Sequence, residues 1–205
     1  MKTFLFISAL LFCITTNAQL AVQPNDSLAA DVEPYDYDTI LKGGYSIYFK
    51  VDDSLEYIYL KKGEKIITEL SACSRGLSYR NLGYPGADFD HFFILVHSFG
   101  FGNPHHIELI RKSTGKTVIE ESAAWIDVDK KKQMLLYCKE EIPRSKDRMI
   151  LYNISTHEKE FFPFPKEIFE DPQVLNRIKL FSITEKKLVI EYEIEKGVKR
   201  KTYSR

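Results

Sequence analysis

Residues 92–96 read Phe-Phe-Ile-Leu-Val, five consecutive apolar side chains of aromatic and branched type. Pro85-Gly86 stands before them, and Gly100, Gly102 and Pro104 follow. A helix does not survive that punctuation, whereas a short apolar run between turn signals reads as a strand buried on both faces. Alternation then puts His91, Phe93, Leu95, His97 and Phe99 on one face, and Phe92, Ile94, Val96 and Ser98 on the other. The fold is expected to be built around this stretch.

The chain before and after it fits one fold class. From Gly43 onward, short apolar runs alternate with turn residues at hairpin spacing, and no regular strand–helix alternation is visible. About a dozen such runs predict an all-β, antiparallel domain over residues 43–205. Residues 71–88, with Arg75-Gly76, Asn81-Leu82-Gly83 and Tyr84-Pro85-Gly86, read as one long loop. Residues 166–169 read as a helical turn. Three hairpins line up: Tyr57-Ile-Tyr-Leu with Gly63, His106-Ile-Glu-Leu-Ile with Gly115, and Arg148-Met-Ile-Leu-Tyr with His157. A second type recurs at Trp125-Ile-Asp-Val-Asp and Leu180-Phe-Ser-Ile-Thr. A period of roughly 40–50 residues with four strands each resembles the blades of a β-propeller. The resemblance implies about three propeller-like four-stranded sheets, in an open arrangement or with a partner on the exposed sheet. No Trp-Asp or kelch signature accompanies it, and a β-sandwich is the alternative.

Residues 1–18 have the parts of a secretory signal peptide: Lys2, an apolar core from Phe4 to Ile14, and Thr16-Asn17-Ala18 before a cut ahead of Gln19. Cys13 raises a lipoprotein reading, but Phe12 stands where such a signal needs a small residue. Residues 19–42 read as an acidic, flexible leader carrying Pro24 and Pro34. No other segment is long enough to cross a membrane. The expected location is secreted or periplasmic. With 29 basic and 29 acidic residues, the chain offers no electrostatic case for nucleic acid. Cleavage leaves Cys73 and Cys138, which permit one disulfide; the other reading of Cys138 is a buried thiol on a strand.

Candidate chemistry is sparse. Ser98 with Gly100 is similar to part of the Gly-x-Ser-x-Gly elbow of α/β-hydrolases, but Val96 replaces the leading glycine and no helix can follow. His91 and His97 share a face yet lie roughly 20 Å apart on an extended strand, too far to share a metal. His97 could meet His105 or His106 across a hairpin, near Asp88 or Asp90. The pairs Glu120-Glu121 and Glu140-Glu141 point to opposite faces of a strand and make no acid–base couple. Asn153-Ile-Ser is a glycosylation sequon inside an expected strand. No cofactor-binding motif occurs.

Tyr79, Arg80 and Tyr84 in the long loop are residue types favoured at interaction hot spots, and His105 and His106, at a strand entry, are further binding candidates. The sequence therefore leads to an exported binding protein with a protein partner in the cell envelope, of inhibitor or immunity type. A metal-dependent or serine hydrolase using His97, His105 or His106 is one alternative. A carbohydrate-binding module using tyrosines and Trp125 is the other.

Overall fold

The computed structural model describes residues 39–77, 79–98, 105–119, 122–139, 142–168 and 174–205, without the side chains of Tyr79 and Phe181. Residues 1–18, read as a signal peptide, residues 19–38 of the leader, the 99–104 segment and both Glu-Glu pairs lie outside the described residues. Among the described residues, no helix is long and apolar enough to cross a membrane.

The protein is all-β, as expected from the turn spacing, and its three antiparallel sheets match the expected count; among the described residues they have four, eight and three strands, not four each, because short turns let one sheet keep adding strands. The first sheet runs in chain order β1 (Thr39–Leu41), β2 (Tyr45–Val51), β3 (Leu55–Lys62) and β4 (Lys65–Ser74). β1 pairs with β2 from Thr39↔Ile47 to Leu41↔Tyr45, so three residues assigned to the leader are strand. The second sheet contains β5 (Tyr84–Asp88), β6 (Phe92–His97), β7 (His106–Arg111), β8 (Lys116–Thr117), β9 (Ala124–Asp129), β10 (Met134–Cys138), β11 (Arg148–Asn153) and β12 (Lys159–Pro163). The third is β13 (Ile178–Ile183), β14 (Lys187–Ile194) and β15 (Gly197–Ser204). Within each sheet, neighbours in sequence pair antiparallel, as short turns require, except that β9 passes β8 to join β7.

The second sheet is narrow at one joint. β7 meets β9 through the single register pair His106↔Ala124, supported by Trp125 N donating to His105 O at 2.7 Å. About that joint its two halves fold together. Ile94, Val96, Ile107 and Leu109 of the first half share a core with Leu135, Tyr137, Ile150 and Tyr152 of the second. A second core joins Phe93, Leu95 and Ile110 to Leu41, Ile47, Ile58 and Leu60 of the first sheet. A third joins Leu136, Met149 and Leu151 to Ile183, Leu188 and Ile190 of the third sheet. The result is four β layers with three apolar seams.

β6 holds the position expected of residues 92–96. Phe92 to Val96 are all buried, and Phe93, Ile94 and Leu95 have no exposed surface. Phe93 and Leu95 enter one seam, while Phe92, Ile94 and Val96 enter another. Each such side chain contributes about 1.5–3 kcal/mol by leaving water. A polar side chain at any of these positions would face a seam, not solvent.

Residues 71–88 are not a long loop. Ser71 to Ser74 complete β4, Tyr79–Leu82 form the four-residue helix α1, and Tyr84–Asp88 form β5. Pro85 and Gly86 lie inside β5 because it is the edge strand of its sheet. The register shifts between Pro85 and Ala87, so a residue without an N–H and one without a side chain cost the ladder little. The helical turn read at residues 166–169 is a 3-10 turn over Lys166–Ile168.

Cys73 and Cys138 are not joined in a disulfide. The disulfide left open by the sequence is corrected by topology: Cys73 is on β4 against the first-sheet seam, and Cys138 is on β10 in the third-sheet seam. Burial, and then the charge of Glu56, push the Cys73 thiol above its ordinary pKa.

Candidate functional site

The site is built where β5, β9 and β13 approach one another. Tyr84 and Gly86 come from β5, Val96 from β6, Trp125, Ile126 and Asp127 from β9, and Ile178 and Lys179 from β13. His105, which leads into β7, and Asn176, in the 3-10 turn Val174–Arg177, complete the wall. They enclose a cleft of about 420 Å³, within the range of small-ligand sites.

Gly86 shapes the cleft. A Cβ there would stand 2.6 Å from Val96 Cγ2 and 3.6 Å from Trp125 Cζ3. The missing side chain lets the indole of Trp125, the sole tryptophan of the chain, lie against the β5 backbone as an apolar wall. Opposite in character, Tyr84 Oη sits 3.2 Å from His105 Nδ1. Burial, and secondarily the charge of Arg80, hold the His105 pKa below its ordinary value. A Tyr84 O–H donated to Nδ1 leaves the proton of the neutral ring on Nε2. Asp127 is engaged by main chain: Oδ1 accepts Val128 N–H at 2.8 Å and Oδ2 accepts Leu180 N–H at 2.7 Å. The second of these bonds satisfies an edge of the third sheet.

Of the residues singled out in the sequence, the fold brings Tyr84 and His105 into contact. Arg80 lies on α1, exposed, and acts on His105 through its charge. Tyr79 opens α1, and its side chain is outside the described residues. His106 is not in the cleft wall; it starts β7 and pairs in register with both His97 and Ala124. His97 does meet His106 across the hairpin, as the spacing allowed. Its ring nitrogens, however, face Asn81 O at 3.1 Å and Glu108 Oε1 at 3.2 Å. That arrangement clamps α1 onto the sheet and occupies both nitrogens. Gly83, at φ +106°, makes room for it: a Cβ there would be 2.8 Å from His97 Cε1. Ser98 is buried, and its N–H donates to Arg80 O at 2.8 Å. Asp88 lies at the far end of β5, paired with Lys112 at 2.6 Å, and Asp90 approaches Lys42 at 3.9 Å. Among the described residues, no group of three or more His, Cys, Asp or Glu side chains is placed to hold a metal ion.

Asp127, Asn176, Ile178 and Lys179 were not anticipated. Nothing local marks them, because they join the site only when the third sheet docks. Trp125 could have been found from its uniqueness, and it entered the sequence reading only as a sugar-binding candidate.

Fold and cleft together define an all-β protein with a partly apolar cleft. No protein-family model matches the chain, and neither a curated protein nor a solved structure is significantly similar to it.

Proposed function

We propose that this chain is an exported, non-enzymatic binding protein whose partner is another protein of the cell envelope, in the manner of an inhibitor or an immunity protein. The observation that carries this reading is the meeting of Tyr84 and His105 in one cleft with Trp125, beside the exposed Arg80. Tyr, Trp and Arg are the side chains that dominate interface energies when partly sheltered from water. A cleft of this size accepts a protruding side chain or two from a partner. Export rests on the basic–apolar–small order of residues 1–18.

The hydrolase reading has less to support it. His97 has both nitrogens engaged by acceptors, and Ser98 is buried just past the end of β6. The carbohydrate reading keeps one observation in its favour, the indole wall in the cleft. Affinity capture from an envelope extract separates the proposals. Capture of a defined protein that falls about tenfold or more with Tyr84→Ala and with His105→Ala supports the first. Capture indifferent to both variants, or a glycan that binds in place of any protein, rejects it.

A further inference from the structure

The helix α1 is a single turn, too short to be stable by itself, so its place depends on its ties. Leu82 is fully buried in the first-sheet seam. Ser98 N–H donates to Arg80 O at 2.8 Å, and the His97 ring meets Asn81 O through Nδ1 at 3.1 Å. This last tie is conditional. The other ring nitrogen, Nε2, meets Glu108 Oε1 at 3.2 Å. A neutral imidazole carries one N–H, so it would turn a lone pair toward either the carbonyl or the carboxylate. Only the charged ring donates to both.

We propose that His97 is a pH-operated latch on α1: its imidazolium fastens the helix to β6, and loss of the ring proton raises the population in which the helix is released. Leu82 remains the anchor in both states. The part released is the main chain of Arg80 and Asn81, and with it goes the Arg80 charge that acts on His105. The titratable and charged groups brought to this end of β6 are Glu108 and His106 of β7, Tyr84 of β5 and Arg80 of α1. Burial opposes the charge on His97, but the Glu108 hydrogen bond, the Asn81 carbonyl and the Glu108 charge outweigh it and raise the pKa above the ordinary 6.5. The latch is therefore fastened on the acid side of the folded pKa and loosens as pH rises through it. It makes no use of the protein-binding reading and stands if that reading fails.

Two measurements on residues 19–205 test the latch. Nitrogen-15 spectra of the His97 ring, taken from about pH 5 to about pH 9, should show both nitrogens protonated at the acid end and one proton lost in a single step. Amide exchange, corrected for the intrinsic effect of pH, reads the helix through Ser98 N–H, which bonds Arg80 O. Ser98 should be less protected than Ile94, at the centre of β6, and its protection should fall severalfold across the His97 step. In His97→Gln, which cannot titrate, that fall should vanish, while His106 stays in place as a control. Glu108→Gln, a near-isosteric change at a side chain 42% exposed, should move the step to lower pH, and it serves where His97→Gln does not fold. A His97 ring already neutral at about pH 5.5 would overturn the latch. So would Ser98 protection equal to that of Ile94, a fall that persists in His97→Gln, or a step that Glu108→Gln leaves unmoved.

Discussion

His97 has an acceptor at each ring nitrogen, and only the imidazolium can donate to both. Burial lowers its pKa, but the Glu108 hydrogen bond, the Asn81 carbonyl and the Glu108 charge together raise it above 6.5. A raised folded pKa gives stability that is complete below the unfolded value and is lost as pH rises through the folded one. Wild-type protein should therefore unfold at a lower denaturant concentration at about pH 9 than at about pH 5.5, and His97→Gln should shrink the difference. An unchanged pH profile in His97→Gln would assign the effect to other groups. Lys112 is a buried cation, with 1% of its surface exposed. Its ammonium pairs with Asp88 Oδ1 at 2.6 Å and donates to Phe89 O at 2.6 Å and Lys42 O at 2.9 Å. Lys42 N–H in turn donates to Asp88 Oδ2 at 2.7 Å. One side chain thus ties the β1–β2 turn to the β5–β6 turn. Lys112→Met strands Asp88 and should cost about 3–5 kcal/mol in urea unfolding, with part of that loss recovered in Lys112→Met/Asp88→Asn.

At the scale of elements, the seams are apolar but the docking of the third sheet is directed by polar bonds. Asp127 holds Leu180 N–H, Tyr203 Oη donates to Pro163 O at 2.7 Å, Lys132 Nζ donates to Ile183 O, and Arg205 reaches Glu160 and Thr184 O. Asp127→Ala leaves the Leu180 amide without its partner and should cost about 1–3 kcal/mol. Hydrogen exchange should show β13 losing protection before β6 does. β5 was misread for a definite reason. Pro85-Gly86 is turn chemistry by composition, yet an edge strand with a register shift accommodates both residues. The glycine is required by what crosses it, and Gly86→Ala should cost about 1–3 kcal/mol by overpacking Val96. Val96→Ala in the same chain should restore most of it. A double variant no more stable than Gly86→Ala alone would mean the Val96 contact is not the cause.

For the whole molecule, Cys73 and Cys138 give the simplest check on the layering. Cys73 is on the first sheet, and Cys138 is on the half of the second sheet that packs against the third. Thiol titration of unfolded residues 19–205, without reductant, should find Cys73 and Cys138 both reactive; a single disulfide between them would contradict the seams as described. Most of the strands and their faces are legible in the sequence alone, β1, α1 and β5 excepted. Alternation along residues 92–97 assigns each side chain to one side of a strand, and hairpin-length turns force antiparallel neighbours; both are local properties with a period of two residues. The sequence also marked Tyr84 and His105, though only by residue type. Only the tertiary structure decided how the layers stack and that Cys73 and Cys138 end in separate seams. It alone set Asp127, Asn176 and Lys179 opposite Tyr84. The physical reason is that burial is non-directional. An apolar face states that it must be covered, but which face covers it depends on polar bonds such as Asp127 to Leu180, made between residues 53 positions apart.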